Sequence, residues 1–391
     1  MKKYCLLIIC CGISMLSFSQ VSKQKIAPKT AVSKKPQPVK EKIAEKKVLT
    51  PAEVRRVNTD DLLSLMFTCG QMFSTPYDIY SDRKKYTEYK DVTDTSATIL
   101  LKNILGHTTD RILVTYDSTK VKHMLQYANK NKTRNVPDFN TTWTWVTELK
   151  YSYFFVYDSI HPSRIITIGQ ANAGLEKVYH QITRYFLTYT NDAVDSVECK
   201  DHDNWTFHCI YYNGKKRPDS VYNYSYYMSK PPVKSTEYID RFRYERTGSI
   251  QKDNLYQPKM PYQGLKSYRM DFSGKGAIDR KMEVSRDLNY GTQEVLMNVY
   301  GYDSTGLLIS DKEYKSPLYI TNLAAADSVA LKATPHQSSY VYNDQGQVIK
   351  KIVSYHDNCE DSDETIEYAI DQYGFLTQVK STKVSKFKCR L

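Results

Sequence analysis

Apolar residues in this chain recur mostly at every second position, which is the spacing of a strand with one buried face. In the clearest run, Trp143, Trp145, Leu149, Tyr151, Tyr153, Phe155 and Tyr157 alternate with Thr142, Thr144, Glu148, Lys150 and Ser152. That predicts one long strand with an aromatic face. Helical spacing is clear over 59–70. There Thr59 is read as the N-cap and Asp60 and Asp61 suit the positive end of the helix dipole. Leu62, Leu63, Met66, Phe67 and Cys69 form a stripe, and Gly70 is a stop. A weaker helical pattern covers 323–333.

The short alternating runs are punctuated by one recurring turn. Residues 300–314 read YGYDSTGLLISDKEY. Asp303 can bond its own backbone two residues on, and Gly306 can take a positive φ without a Cβ clash. This predicts a type I turn closed by a bulge glycine. Tyr302 then faces Leu308 across the hairpin, and Asp303 faces Leu307. The frame returns with Tyr342, Asn343, Gly346 and Val348, and with Ile370, Asp371, Gly374 and Leu376. It also returns with Tyr244, Glu245, Gly248 and Ile250, and with Met270, Asp271 and Gly274, where Gly276 replaces the final aliphatic residue. Looser versions without the glycine lie at Tyr116-Asp117, Tyr157-Asp158, Tyr189 and Tyr212-Asn213. The anchors are irregularly spaced, which favours stacked or meandering hairpins over a strict solenoid.

The string aromatic-x-Tyr-Asp-x-x-Gly-x-Leu resembles the YD repeat of RHS-type proteins, over residues 240–380. The resemblance implies an exported bacterial protein rich in β-hairpins; where that family usually has Arg after the glycine, this chain has Ser249, Lys275, Leu307, Gln347 and Phe375. The expected fold class is therefore all-β, an antiparallel meander of repeated hairpins with one short N-terminal helix. Extended sheet and two β-subdomains meeting near 229–235, around Pro231-Pro232, both remain open.

Composition changes the picture at the N-terminus. Lys2 and Lys3 precede an apolar run too short to span a bilayer, ending in Ser17-Phe18-Ser19, so 1–19 is expected to be a signal peptide. Residues 20–57 are rich in Lys, Pro and Ala and are expected to be a disordered basic linker, with the β region over 58–391. The linker carries nine Lys and two Arg against three Glu, so most of the chain's net charge of +12 lies ahead of residue 58. The basic pI thus describes a tail suited to an anionic membrane or cell-wall surface, and no nucleic-acid partner is expected.

Cys199 and Cys209 flank a turn at Asp203-Asn204, while Cys359 and Cys389 are expected at one end of the sheet. An oxidising envelope compartment favours disulfides Cys199–Cys209 and Cys359–Cys389, with Cys69 a buried thiol. Cys199, His202, His208 and Cys209 have zinc-ligand chemistry, but their spacing matches no standard site, and adjacent His208 and Cys209 point to opposite strand faces. No metal site, cofactor or catalytic residue is assigned, since the sequence holds no serine elbow, HExxH, P-loop or Rossmann glycine string.

The sequence points to an exported protein of the periplasm, outer membrane or cell surface, acting as a non-enzymatic β-repeat scaffold or binding surface. The residues do not name its partner; an envelope protein and a glycan are the candidates. Two other readings stay open: a carbohydrate-binding module stacking sugars on exposed Trp143, Trp145, Tyr151 and Tyr153, and a polysaccharide lyase or hydrolase.

Overall fold

The computed structural model describes residues 49–68, 87–135, 140–174, 182–200, 205–211, 218–227, 233–244, 250–256, 265–272, 277–287, 292–318, 330–356 and 360–387. One helix, α1 (Pro51–Thr68), precedes the strands. These are β1 (Thr87–Lys90), β2 (Ser96–Lys102), β3 (Thr108–Asp117), β4 (Lys120–Asn135) and β5 (Asn140–Tyr157). Next come β6 (Ile165–Asn172), β7 (Ile182–Thr190), β8 (Ala193–Lys200), β9 (Trp205–Tyr211) and β10 (Pro218–Tyr227). Then follow β11 (Val233–Tyr244), β12 (Ile250–Tyr256), β13 (Leu265–Phe272), β14 (Ile278–Asp287) and β15 (Thr292–Tyr302). The last are β16 (Leu308–Leu318), β17 (His336–Tyr342), β18 (Val348–His356), β19 (Glu360–Ile370) and β20 (Leu376–Phe387).

Each strand pairs antiparallel with the next, so the meander expected from the turn frames is present. It is neither an extended sheet nor two subdomains. β10 and β11 pair across residues 228–232, and β20 returns to pair with β5, closing strands 5 to 20 into a β-barrel of sixteen strands. The closure has a particular form. β4 lies along one edge of β5 from Phe154 to Thr142. The other edge is shared: β6 takes Tyr151–Tyr157 and β20 takes Asn140–Thr144.

Between those two stretches Lys150 is the extra residue of a bulge, because Gln126 pairs with Tyr151 and Tyr127 with Leu149. Leu149 and Tyr151 therefore project to opposite faces. The single aromatic face expected for this strand is really two, with Trp143 and Trp145 on one and Tyr151 and Tyr153 on the other. Followed strand by strand around the barrel, the face that carries Tyr153 arrives at Val379, which pairs with Trp143. The sheet thus makes a net half-turn before it closes.

The predicted hairpin at Tyr302 is present in detail. Tyr302 pairs with Leu308, Asp303 N donates to Leu307 O (2.9 Å), Gly306 N donates to Asp303 O (3.1 Å), and Gly306 has φ +88°. Asp303 Oδ1 accepts from the amides of Thr305 and Leu307, both at 2.9 Å. Asn343 with Gly346 and Asp371 with Gly374 repeat the arrangement. A copy that lacks the aromatic anchor lies at Asn103, Gly106 and His107, where Lys102 stands in the tyrosine's place.

One frame differs from expectation. Phe272 pairs with Ile278, and Asp271 lies within the ladder opposite Arg280. Phe272 is therefore the anchor, and Ile278 supplies the aliphatic partner that the Met270 frame lacked. Asp271 is held by the guanidiniums of Arg269 (2.9 Å) and Arg280 (2.7 Å), which suits a strand position and not a turn. The turns expected at 245–248 and 212–213 lie outside the described residues.

Helix α1 starts at Pro51 and not at Thr59. Its N-cap is Thr50, whose hydroxyl accepts from Glu53 N (3.2 Å) while Glu53 Oε2 accepts from Thr50 N (2.8 Å). This is a capping box with proline at the first helical position, signalled by Thr50-Pro51-Ala52-Glu53. Residues 51–57, expected in the linker, are its first turns. Thr59 sits mid-helix and donates to Arg55 O at 2.8 Å. Of the weaker helical pattern at 323–333, residues 323–329 lie outside the described residues. The leader, Cys69, Cys359 and Cys389 lie outside them as well.

The Cys199–Cys209 disulfide is corrected. Cys199 pairs with Phe207 and Val197 with Cys209, so the cysteines are diagonal neighbours on β8 and β9, about 7–8 Å apart at Cα and beyond disulfide reach. Both are buried thiols.

One core cluster lies on one sheet face and against α1, and a second, formed by Met282, Val284, Val295, Met297 and Ala330, lies on the opposite face at β14 and β15. Leu62, Leu63 and Met66 of the helix pack on Ile99, Ile112, Val114 and Met124, and this first cluster continues through Tyr153, Ile168, Tyr185, Val197, Val221 and Phe242. Burying each large aliphatic side chain there contributes about 1.5–3 kcal/mol. A buried relay joins the strands: Tyr153 donates to Gln126 Oε1 (2.6 Å), and Gln126 Nε2 donates to Asp110 Oδ1 (2.6 Å). From β14 onward the same face turns polar, carrying Lys281, Asn298, Asp311, Lys351 and Glu364.

Candidate functional site

Helix α1 touches the sheet along one stripe and leaves a cleft on each flank. The better-walled cleft, about 520 Å³, lies between α1 and the tips of the hairpins β3–β4, β5–β6 and β7–β8. Its volume falls within the range of about 300–1,000 Å³ usual for small-molecule sites. From the helix come Val54, Asn58, Asp61, Leu62 and Leu65, a set one turn apart that forms a single stripe. From the sheet come Val121, Ile165, Leu187 and Val194, and the rings of Tyr157 and Tyr189. Lys120, Ser163 and Asp192 lie at hairpin tips. Asn58 Nδ2 ties the helix to the β3–β4 tip by donating to Thr119 O (2.9 Å).

The turn chemistry places these groups. Asn191 and Asp192 both have positive φ (50° and 66°), which lets β7 return directly into β8 with Tyr189 opposite Val194. Ser118 (φ 57°) does the same for β3 and β4 and sets Tyr116 opposite Val121.

The tyrosine hydroxyls are already committed. Tyr157 OH donates to Val121 O (2.8 Å) and Tyr189 OH donates to Ile165 O (2.7 Å). Burial pushes the Tyr157 phenol up to about 12 and raises that of Tyr189. Tyr116 OH bonds Thr59 Oγ1 at 3.0 Å and so binds the helix to the first hairpin. Lys120 Nζ lies 5.0 Å from the Tyr157 ring centroid. The Arg164 guanidinium contacts the Tyr189 ring (5.4 Å) and pairs with Asp192. The cleft therefore has apolar walls, tyrosines that serve as fixed surfaces, and charge only at its rim. That arrangement can hold an elongated, largely apolar molecule.

No family model matches the chain, and no curated protein matches its sequence. The fold does have likenesses among solved structures. One is a porin-like protein from Bacteroides vulgatus ATCC 8482, at 10% identity, covering 61% of this chain and 92% of that one, with a TM-score of 0.30. Another is a porin-like protein from Bacteroides uniformis ATCC 8492, at 8% identity, 77% and 95% coverage, and a TM-score of 0.18. A third is TcdB2-TccC3, at 9% identity with a TM-score of 0.18; this chain spans 21% of its length.

The residues expected to stack sugars do not form one row. Tyr153 is fully buried, with its hydroxyl spent on Gln126. Tyr151 is half-buried beside it, ring centroids 6.1 Å apart, while Trp143 and Trp145 are half-buried beyond the bulge on the other face of β5. Asp303, Gly306, Asn343, Gly346, Asp371 and Gly374 shape turns, as expected, and none lines the cleft. The cleft residues were missed because they come from α1 and three separate hairpin tips. The one available signal was the pair of tyrosine anchors, Tyr157 and Tyr189.

Proposed function

We propose that this is an exported envelope protein of the YD-repeat type, non-enzymatic, in which the hairpin barrel is a rigid frame and the cleft beside α1 is a ligand seat. The observation that carries the reading is the cleft itself, with its apolar walls and with both tyrosine hydroxyls donated to main-chain carbonyls. A phenol held that way supplies shape and not acid–base chemistry.

The basic residues ahead of α1 suit attachment to an anionic surface.

The test is titration of the folded chain with the apolar dye N-phenyl-1-naphthylamine. A single saturable site is expected, and Leu65→Trp, which fills the cleft from the helix side, is expected to remove it while leaving the melting transition in place. Undiminished binding by the variant would contradict the reading.

A further inference from the structure

The carbonyls beside the hairpin turns follow one rule, which fails at the end of the chain. Val121, Ile165, Ile278 and Leu308 each pair with the anchor of their own hairpin. Their carbonyls accept from the anchor tyrosine of the next hairpin: Tyr157 (2.8 Å), Tyr189 (2.7 Å), Tyr302 (2.8 Å) and Tyr342 (2.5 Å). The last hairpin cannot continue the series. Its anchor is Ile370, which has no donor to offer Val348 O, the carbonyl beside the Tyr342 anchor. The β2–β3 hairpin supplies the bond instead, as His107 Nε2 donates to Val348 O (2.6 Å). From β4, Asn129 Nδ2 donates in the same way to Leu376 O (3.0 Å).

The contact is carried by the β2–β3 tip. β2 pairs with β1 and β3, and β3 with β2 and β4, so no ladder joins this hairpin to β17–β20. Val348 N donates to Leu105 O (3.0 Å), Thr108 N to Gly374 O (2.8 Å) and Thr108 Oγ1 to Tyr373 O (2.6 Å). Gly106 lies so close that a Cβ there would fall 2.5 Å from Gly346 O.

His107 at the centre of this contact is 1% exposed. Because Nε2 is the donor, the neutral ring keeps Nδ1 as a bare acceptor, and Nδ1 is buried without a partner. A proton there would place a charge and a donor where nothing receives either. The surrounding groups provide no counter-ion. β19 sets Tyr368 against the ring, centroids 4.9 Å apart, and Glu364 on the same strand is taken by Tyr355 and Ser381. Lys351 of β18 lies over the Tyr340 ring, Asp371 accepts from the amides of Tyr373 and Phe375, and Asp344 is exposed. On its own hairpin Lys102 pairs with Glu88, Asp110 accepts from Gln126, and Arg111 lies against the rings of Tyr127 and Tyr373.

We propose that the β2–β3 hairpin is an acid-released clasp on the last two hairpins, closed while His107 is neutral and let go when it takes up a proton. Release lets water reach Nδ1 and leaves the ladders on either side intact. The proposal does not depend on the ligand seat.

Hydrogen exchange read by mass spectrometry tests it, with protection compared at about pH 7.5 and about pH 5.5 after correction for the intrinsic rate. Peptides carrying Thr108 and Val348, whose amides donate across the contact, are expected to lose about tenfold in protection, the loss allowed one pH unit below the free imidazole value. The peptide over 303–308, fastened by the Tyr342 phenol, is expected to change little. His107→Gln offers Val348 O an amide donor that takes up no proton, and its protection is expected to hold at the lower pH. Unchanged protection at Thr108 and Val348 in the unaltered protein, or a loss matched over 303–308, would overturn the clasp. A loss that persists in His107→Gln would overturn the part given to His107. The unaltered protein is compared with itself, so a folding defect in the variant does not shelter the proposal.

Discussion

The phenol of Tyr302 donates to the carbonyl of Ile278 across 2.8 Å and so joins one hairpin to the hairpin before it. Ile278 is the residue paired with Phe272, the preceding anchor. The same relation holds elsewhere. Tyr342 donates to Leu308 O (2.5 Å), and Leu308 pairs with Tyr302; Tyr157 donates to Val121 O, and Val121 pairs with Tyr116; Tyr189 donates to Ile165 O, and Ile165 pairs with Tyr157. The repeated tyrosine thus does two things. Its ring covers the strand opposite, and its hydroxyl fastens neighbouring repeats.

Replacing that hydroxyl isolates the fastening. Tyr302→Phe keeps the ring and leaves Ile278 O without its donor, so a loss of about 1 kcal/mol is expected in urea unfolding. Phe272, which is naturally without a hydroxyl, should tolerate Phe272→Leu with a loss set by packing alone. A Tyr302→Phe protein as stable as the parent would show that the hydrogen bond contributes nothing.

Two bulge glycines should respond differently to alanine. Gly346 (φ +71°) has room, since a Cβ there would meet only Leu307 Cδ2 at 3.6 Å. Gly374 (φ +88°) does not: its Cβ would fall 2.4 Å from Gln347 Nε2 and 2.8 Å from Thr108 Oγ1. Both variants incur the left-handed backbone cost of about 1–2 kcal/mol. Gly374→Ala should lose at least about 1 kcal/mol more, because Thr108 Oγ1 would be pushed from its bond to Tyr373 O (2.6 Å). Equal losses in paired denaturant titrations would contradict this.

A pH dependence should arise where the β2–β3 tip meets the tips of β17–β18 and β19–β20. His107 is buried there, its Nε2 donating to Val348 O (2.6 Å), its Nδ1 without a partner and its ring 4.9 Å from that of Tyr368. Burial lowers its pKa from the usual 6.5. The folded state therefore binds fewer protons than the unfolded chain below that value, so stability is full above about 6.5 and falls as the medium is acidified through it. Urea midpoints measured from pH 8 to pH 5 should show the decline, and His107→Gln should flatten part of it. An unchanged slope in the variant would place the titration elsewhere.

Much of the local structure was legible from short-range chemistry. The Asp303, Asn343 and Asp371 turns follow from a side chain that bonds its own backbone and a glycine at the left-handed position. Asp271 shows where that logic fails. Asp271 with Gly274 and Ser273 with Gly276 offer competing frames, and the pairing of Phe272 with Ile278 settles the contest through contacts outside the turn. The copy at Asn103 was overlooked for want of an aromatic residue at Lys102. The alternation along β5 concealed the bulge at Lys150, because an inserted residue leaves the composition of a strand unchanged while exchanging its faces. Barrel closure and the cleft could not be read locally, since they join β5 to β20 and α1 to three hairpin tips.

Barrel closure supports everything placed on it, and one crosslink tests it. Lys380 pairs with Glu367 on one side and with Thr142 on the other. A Glu367→Cys, Lys380→Cys protein serves as the reference, because that pairing belongs to the adjacent hairpin, and Thr142→Cys, Lys380→Cys reports closure. Under mild oxidation, peptide mapping by mass spectrometry should find an intramolecular 142–380 disulfide in the folded monomer, in yield similar to the reference. A reference that crosslinks while 142–380 does not would show that the sheet stays open at β5.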